Sequence, residues 1–174
     1  MRVAIIGIGA IARLHARALA GIDGITLVAA SCRTEEKGRA FAEEFNCVWY
    51  GDTSRMLRRE KLDFVTVATP SGAHLDAVTA AARRGIHVIC EKPLEISLKR
   101  IDRMLAATSK AGVTLGAISR SDSTPLCKPS MLLLVPDDLA RLPWLSVLCR
   151  GGGTILIMEP AAGKARWPLM VAAA

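Results

Sequence analysis

The chain has 174 residues, of which 51% are apolar and 4% aromatic, as expected of a globular protein with an aliphatic core. Most of its net charge of +7 lies in residues 1–120, where 18 Lys and Arg outnumber 12 Asp and Glu; the excess is scattered, which favours a solvated surface or an anionic ligand over nucleic acid. No apolar run approaches the roughly 20 residues that cross a membrane, and the start of the chain lacks the basic region and cleavage site of a signal peptide, so no membrane anchor is expected.

Short apolar runs alternate with helical patterns through residues 1–120. Buried strands that alternate with helices are typical of a parallel sheet covered on both faces. We therefore predict an α/β fold, a Rossmann-type doubly wound parallel sheet, whose ligands bind beyond the carboxyl ends of the strands. The predicted strands are 3–7, 25–31, 48–50, 64–68, 87–90 and 113–118. The predicted helices are 10–20, 35–45, 54–59, 74–84 and 97–111.

Helix faces and helix ends follow from the same pattern. In the first helix, Leu14, Ala18 and Leu19 are predicted to share the buried face. Thr34 and Ser97 are predicted to cap the N-termini of the second and the last helix. The predicted buried face of the last helix comprises Leu98, Ile101, Met104 and Leu105.

Five cysteines, at positions 32, 47, 90, 127 and 149, show no C-x-x-C spacing. Their number is odd, and the first three fall in strand-like runs. We therefore expect reduced thiols in a cytoplasmic protein, without disulfides or a metal site.

The sequence GIGAIA follows the first predicted strand and opens the first predicted helix, matching the pattern G-x-G-x-x-A. Gly7 permits a tight turn, Gly9 lets the backbone approach a pyrophosphate, and Ala12 allows close packing of helix on strand. Ala10 and Ile11 begin the helix, whose N-terminus favours negative charge. We predict a dinucleotide site; the alternative is a glycine-rich turn without a ligand.

The end of the second strand lacks the acid that would bind a ribose 2′-hydroxyl. This region reads Ser31-Cys32-Arg33-Thr34, and the first acid is Glu35. A carboxylate would repel a 2′-phosphate, whereas Arg33 with Ser31 and Thr34 can bind one. The sequence therefore favours NADP over NAD as the cofactor, the alternative being that Arg33 is a solvated loop residue.

Two more motifs follow the fourth and fifth strands, at the same edge of the predicted sheet. The first is TPSGAH, which contains Thr69, Pro70 and His74, and the second is EKP, which contains Lys92. By itself, His74 can be a helix cap and Lys92 part of a surface turn. Together, on the carboxyl ends of neighbouring strands, the two motifs point to the reactive half of a cofactor site.

The G-x-G-x-x-A turn, the ATPSGAH segment and the CEKPL segment resemble the nucleotide-binding domain of the Gfo/Idh/MocA oxidoreductases over residues 1 to about 120. The resemblance implies NAD(P)-dependent oxidation or reduction of a sugar, inositol or similar polyol at a carbinol carbon. It also implies that Lys92 is catalytic and polarises or hydrogen-bonds the substrate oxygen beside the nicotinamide. The resemblance places Thr69, Pro70 and His74 in the lining of the cofactor pocket, and Glu91 and Pro93 in the turn that carries the lysine.

The family pattern stops at Ser121, so we expect a Rossmann domain at 1–120 and a divergent tail at 121–174. Family members continue into a second domain that supplies the substrate pocket, a catalytic histidine and the usual oligomer contacts, but residues 121–174 contain no histidine. Read one base back, the codons of this tail can give R-F, G-x-L-G-K and D-G-G-G-S in order, which resembles the start of that domain. We expect a frame-shifted tail and a second domain that is missing or scrambled; the alternative is a natural, divergent tail.

On this interpretation the chain descends from an NAD(P)-dependent oxidoreductase for a sugar or polyol, and it retains weak NADP(H) binding with little or no turnover. The apolar runs MLLLV and TILIM of the tail are expected to attach to a sheet edge or to another chain. An oligomer is possible. The alternatives are a nucleotide-sensing module without catalysis and an inactive pseudogene product, and the lysine of the EKP motif favours enzyme ancestry over a sensor.

Overall fold

The computed structural model describes residues 1–120 and two later strands, and for residues 119, 120 and those two strands the description is of the backbone. The strands are β1 (Arg2–Ile6), β2 (Thr26–Ser31), β3 (Val48–Tyr50), β4 (Phe64–Val67), β5 (His87–Cys90), β6 (Leu115–Arg120), β7 (Gly153–Met158) and β8 (Leu169–Val171). The helices are α1 (Ala10–Ala20), α2 (Glu35–Phe45), α3 (Thr53–Arg59), α4 (His74–Ala82) and α5 (Leu98–Ala111).

The described strands form one sheet in the order β3-β2-β1-β4-β5-β6-β7-β8. From β1 the chain runs outward to β2 and β3, then returns to the other side of β1 with β4, β5 and β6, all of them parallel. The switch in strand order therefore lies between β1 and β4. This arrangement confirms the predicted Rossmann-type parallel sheet, and it identifies the carboxyl ends of β1 and β4 as the place for a ligand.

Alternate residues of the central strands contact helices on opposite faces of the sheet. In β1, Val3 and Ile5 belong to a core cluster with α1 and α2, whereas Ala4 and Ile6 belong to a cluster with α3, α4 and α5. All four are at most 2% exposed. Because both faces are buried, these strands are continuous apolar runs without alternation of polar residues.

The predicted phase of α1 is wrong at Leu14, which is 61% exposed. The sheet-facing side carries Ala12, His15, Ala16 and Leu19, spaced three, four and seven residues apart. This spacing matches the helical repeat, and Leu14 lies outside it. His15 therefore occupies a buried position that the apolar pattern alone did not indicate.

The two predicted N-cap positions are confirmed, but the capping hydrogen bonds are not found among the described residues. Thr34 and Ser97 hold the N-cap positions of α2 and α5, but within residues 1–120 neither side chain accepts a capping hydrogen bond. Asp52 does so for α3, accepting from the backbone N–H of Arg55 at 3.0 Å. In α5 the buried residues are Met104 and Thr108, and the prediction that Leu98 shares the buried face is wrong, since its exposure is 76%.

The last parallel strand begins two residues later than predicted, at Leu115. The N–H of Val113 bonds back to the carbonyl of Thr108 at the end of α5. The next N–H, that of Thr114, donates to Nδ1 of His87 at 3.1 Å. The N–H groups of Val113 and Thr114 therefore do not hydrogen-bond to the backbone of a neighbouring strand. The carbonyl of Thr114 does, since it accepts from the N–H of Val88 in β5.

Within the described residues, Cys32, Cys47 and Cys90 are free thiols. Burial raises the pKa of Cys47 to about 11 and, with the nearby charges of Glu91 and Glu95, that of Cys90 to about 12. Thiols of this kind stay protonated at neutral pH and are poor nucleophiles. The two remaining cysteines, 127 and 149, lie outside the described residues.

The apolar run TILIM of the tail lies in β7, which pairs antiparallel with β6 from Leu115↔Met158 to Arg120↔Gly153. In turn, β8 pairs antiparallel with β7. The run MLLLV lies outside the described residues. In the part of the chain that the structure describes, no helix is long and apolar enough to cross a membrane.

Candidate functional site

The turn after β1 is built around Gly7, whose φ is +92°. A Cβ at this position would lie 2.7 Å from the backbone nitrogen of Thr69 and 2.8 Å from the carbonyl oxygen of Ala68. The N–H of Gly7 also donates to the carbonyl of Ser31 at 2.8 Å. Only glycine fits this conformation and this space, so the ends of β1, β2 and β4 converge as closely as they do because residue 7 has no side chain.

The start of α1 is open and uncapped. Gly9 holds the N-cap position in an extended conformation, and among the described residues no side chain caps α1 and no acid lies in its first turn. A Cβ built on Gly9 meets no described atom within 4 Å. Ala10 and Ile11 are exposed, whereas Ala12 is fully buried against the sheet. The free N–H groups and the positive end of the helix dipole fit a phosphate or pyrophosphate.

At the end of β2, the three residues predicted to bind a 2′-phosphate are placed differently. Arg33 and Thr34 are exposed, as that role requires. Ser31 is 1% exposed, and its hydroxyl is already hydrogen-bonded to that of Thr53 at 2.9 Å. Glu35, the first acid, pairs with Arg39 at 2.7 Å. Of the three predicted residues, Arg33 and Thr34 are therefore accessible from solvent, whereas Ser31 is buried and its hydroxyl is already paired.

The segment after β4 is held by His74, which is 1% exposed. Its Nε2 lies 2.8 Å from the carbonyl oxygen of Thr69, and its Nδ1 lies 3.1 Å from that of Leu94. The buried ring therefore connects the turn after β4 with the turn after β5. Pro70 is exposed at the surface of this turn, and the hydroxyl of Thr69 is buried without a hydrogen-bond partner among the described residues.

The EKP turn after β5 combines a buried acid with an exposed lysine. Glu91 is 8% exposed, Lys92 and Pro93 are exposed, and the peptide bond between the last two is cis. One carboxylate oxygen of Glu91 accepts from the backbone N–H of Lys92 at 3.0 Å, and the other lies 2.7 Å from Nε2 of His15. Burial alone would raise the pKa of Glu91, but the hydrogen bond and charge of His15 lower it below its ordinary value.

Glu95 is a further buried acid at this edge, and no sequence motif points to it. One of its oxygens accepts from the N–H of Leu75 in the first turn of α4, and also from Arg100 at 3.0 Å. Arg100 in turn donates to the carbonyl of Gly72 at 2.8 Å. The hydrogen bond from Arg100 lowers the pKa of Glu95 to about 2. Glu95 thus caps α4 from another segment, a role that no local sequence signal marks because the capped helix lies 20 residues away.

Among the described residues, no group of three or more His, Cys, Asp or Glu side chains is placed to bind a metal ion. The groups found after the strands at the carboxyl edge are instead an uncapped helix N-terminus, the exposed guanidinium of Arg33 and the exposed ammonium of Lys92. Together with the strand order, they define a dinucleotide-binding domain of the Rossmann type.

The chain belongs to the Gfo/Idh/MocA oxidoreductases: the family model described as "Oxidoreductase family, NAD-binding Rossmann fold" matches residues 1–118. It is 39% identical over 113 residues to the D-apiose dehydrogenase of Paraburkholderia graminis, which is 64% of this chain and 30% of that protein. It is 36% identical over 116 residues to the myo-inositol 2-dehydrogenase of Thermotoga maritima, 66% of this chain and 35% of that protein. The chain therefore spans about a third of the length of these relatives.

Among solved structures, the fold is similar to that of the WlbA dehydrogenase from Bordetella pertussis in complex with NADH and UDP-GlcNAcA, with a TM-score of 0.65 and 31% identity. The match covers 67% of this chain and 36% of that one. The resemblance seen in the glycine turn and in the ATPSGAH and CEKPL segments is thereby confirmed for the nucleotide-binding domain. The roles of the individual site residues stay predictions.

We predict losses of stability of different size for alanine substitutions at the two glycines of the turn. Gly7→Ala combines a positive φ with a backbone clash, and we expect it to lower the free energy of unfolding by about 3 kcal/mol. Gly9→Ala places its methyl group in open space on an extended backbone, so we expect a loss of at most about 1 kcal/mol. Urea unfolding monitored by circular dichroism measures both, and equal losses in the two variants would contradict this account of Gly7.

A second prediction concerns pH. The folded-state pKa of Glu95, about 2, lies below the ordinary value of 4.5, so its contribution to stability is complete above pH 4.5 and disappears as the pH falls towards 2. We expect Glu95→Gln to lower the free energy of unfolding by roughly 2 to 3 kcal/mol at pH 7, and by progressively less below pH 4.5.

The control for this experiment is Glu35→Gln, because the Glu35–Arg39 pair is exposed. We expect it to change stability by less than about 0.5 kcal/mol at every pH. A difference between wild type and Glu95→Gln that stays constant from pH 7 to pH 3 would contradict the assignment of Glu95 as a buried, ionised cap.

Proposed function

We propose that residues 1–120 bind a nicotinamide dinucleotide at the carboxyl edge of the sheet, with its pyrophosphate at the N-terminus of α1. The observation that carries this proposal is the open start of that helix, where Gly9 leaves room and no described side chain caps the N–H groups. Membership of an NAD-binding Rossmann family supports it. The glycine at position 7 supports it further, because it brings the end of β4 close to the same turn.

We further propose a preference for NADP(H) over NAD(H). Its basis is Arg33, an exposed guanidinium at the end of β2 where an acid would bind an unmodified ribose. A guanidinium can bind a 2′-phosphate through two parallel hydrogen bonds. Thr34 is exposed beside it, whereas the hydroxyl of Ser31 is paired with Thr53 and is not part of this proposal.

The reaction proposed for the parent enzyme is dehydrogenation of a sugar or polyol at a carbinol carbon, as the names of the relatives suggest. A bound nicotinamide would supply hydride transfer at its C4 carbon. Lys92, exposed on the turn after β5, would hydrogen-bond the substrate oxygen and polarise its bond to carbon. The proton of the alcohol would pass to an acid/base group outside residues 1–120.

We predict that the 174-residue chain binds NADPH more tightly than NADH, and that Arg33 accounts for the difference. Arg33→Ala should raise the Kd for NADPH by about tenfold or more, because a charge-assisted hydrogen bond contributes roughly 1.5 to 3 kcal/mol, and leave the Kd for NADH within about twofold. Gly9→Ala should raise both, because its methyl group would occupy the space of the pyrophosphate. Calorimetric titration at constant ionic strength measures these values.

Arg84→Ala is the matched control, because Arg84 is exposed before β5, at the opposite edge of the sheet. It should leave both dissociation constants unchanged. Equal losses of NADPH affinity in Arg33→Ala and Arg84→Ala would show that the protein's net charge, and not a contact with the 2′-phosphate, determines the affinity. That result would contradict the assignment of Arg33. Binding without turnover would be consistent with a nucleotide-sensing or inactive protein. Turnover on a sugar that Lys92→Ala abolishes would instead show that the chain is a working enzyme.

Residues 121–174 carry a separate proposal, that they are translated in a shifted reading frame. It is supported by the ordered motifs that the neighbouring frame can encode, and by family similarity that ends at residue 118. We expect the coding DNA, resequenced from Ser119 onward, to open a frame of about 200 codons when one base is restored. A frame that stands as given, with nothing family-like in the neighbouring frame, would refute the proposal and make the tail a natural one.

A further inference from the structure

One buried polar contact at the carboxyl edge joins two motifs that are distant in sequence. Nε2 of His15 lies 2.7 Å from Oε1 of Glu91, and the two side chains are 7% and 10% exposed. His15 lies in the second turn of α1, on the face that packs against the sheet. Glu91 is the first residue after β5 and the first of the EKP motif.

This contact crosses the switch point of the sheet. In the strand order, β4 lies between β1, which leads into α1, and β5, which leads into the EKP turn. Because β1 and β5 are not neighbours in the sheet, no backbone hydrogen bonds join them. The His15–Glu91 contact instead links α1 to the EKP turn through side chains. It fixes the lysine turn relative to the helix whose N-terminus forms the phosphate cradle.

Glu91 uses its two carboxylate oxygens for two different segments. Oε1 meets His15, and Oε2 accepts the backbone N–H of Lys92 at 3.0 Å. The backbone N–H of Glu91 itself donates to Val67 at 2.9 Å, so the residue is anchored to β4 as well. The carboxylate is thus the connection between the histidine ring and the backbone from which Lys92 projects.

Among the described residues, the His15 ring has no polar contact that competes with Glu91. Its Nδ1 is buried and has no hydrogen-bond partner among the described residues, so within this part of the chain the polar interaction of the ring is with Glu91. The lowered pKa of Glu91 agrees with a carboxylate that is ionised and stabilised by this ring. A buried carboxylate that lost this partner would be driven to turn towards solvent, and the turn would move with it.

We propose that His15 is a positioning residue, which acts through Glu91 to hold the backbone of Lys92 at a fixed place relative to the first helix. The consequence for substrate binding rests on the proposed role of Lys92, whereas the effect on the turn is a property of the protein alone. The two can therefore be tested separately.

Backbone amide exchange, followed by NMR on the ligand-free 174-residue chain, tests the effect on the turn. His15→Leu removes the donor and keeps an apolar side chain of similar bulk, and we expect the amide of Lys92 to exchange about tenfold faster. Amides of Val65 and Val67 in β4 should keep their rates. In His15→Gln, a side-chain amide N–H can replace Nε2, so the Lys92 rate should return to within about threefold of the wild type.

Leu14→Ala is the control, since Leu14 is the exposed neighbour of His15 on the same helix. His15→Ala is a second variant that removes the donor without adding bulk, and it should accelerate the same amide if His15→Leu fails to fold. The proposal is overturned if the exchange rate of the Lys92 amide rises by the same factor as the rates of the β4 amides. It is also overturned if the Lys92 amide exchanges as fast in His15→Gln as in His15→Leu. If no variant, nor the wild type, binds NADPH while the exchange pattern holds, the proposed function fails and the positioning pair stands.

Discussion

The close approach of Gly7 to the end of β4 is the contact on which the rest of the site depends. Because no Cβ separates Gly7 from the backbone of Ala68 and Thr69, β1 and β4 stay paired up to the point where their chains diverge. From there the chain turns into α1 on one side and towards α4 on the other. Gly9, in the turn before α1, faces open space, and the helix dipole and free N–H groups there favour an anion. One missing side chain thus produces both the tight packing and the adjoining cradle.

Buried polar groups then fix the loops around that cradle. His74 joins the turns after β4 and β5, Glu95 caps α4 from the second of these turns, and the pair of His15 and Glu91 ties that turn to α1. Each of these side chains contacts a backbone N–H, a backbone carbonyl or a charged group. Burying any of these groups without a partner would be costly. Long loops at the edge of a parallel sheet have few apolar contacts to order them. Here hydrogen bonds between segments supply that order, while Arg33 and Lys92, the residues proposed to bind cofactor and substrate, stay exposed.

The parts of the fold that were predictable from sequence are those that local patterns determine. Apolar runs marked the strands, and the glycine turn marked the start of α1, because backbone conformation and burial on both faces restrict the residues allowed there. The errors concern tertiary contacts. Leu14 was assigned to the core because leucine is apolar, but the helix turns Ala12 and Ala16 towards the sheet. The burial of His15 and Glu95 was not predicted, since nothing nearby in sequence reveals their partners, which lie 76 residues and 20 residues away.

The pairing of β7 with β6 bears on how far the dinucleotide site depends on the tail. After five parallel crossovers, β6 would present a free edge of backbone N–H and carbonyl groups, and such an edge accepts any extended segment of suitable length. The bonds that β7 makes there are backbone bonds in an antiparallel register, which require little of a sequence beyond β-branched and apolar residues. Gly7, Gly9 and Arg33 lie at β1 and β2, separated from that edge by β4 and β5. These three residues therefore belong to the part of the chain that matches the family, and their roles can be tested whichever reading frame gave rise to the tail.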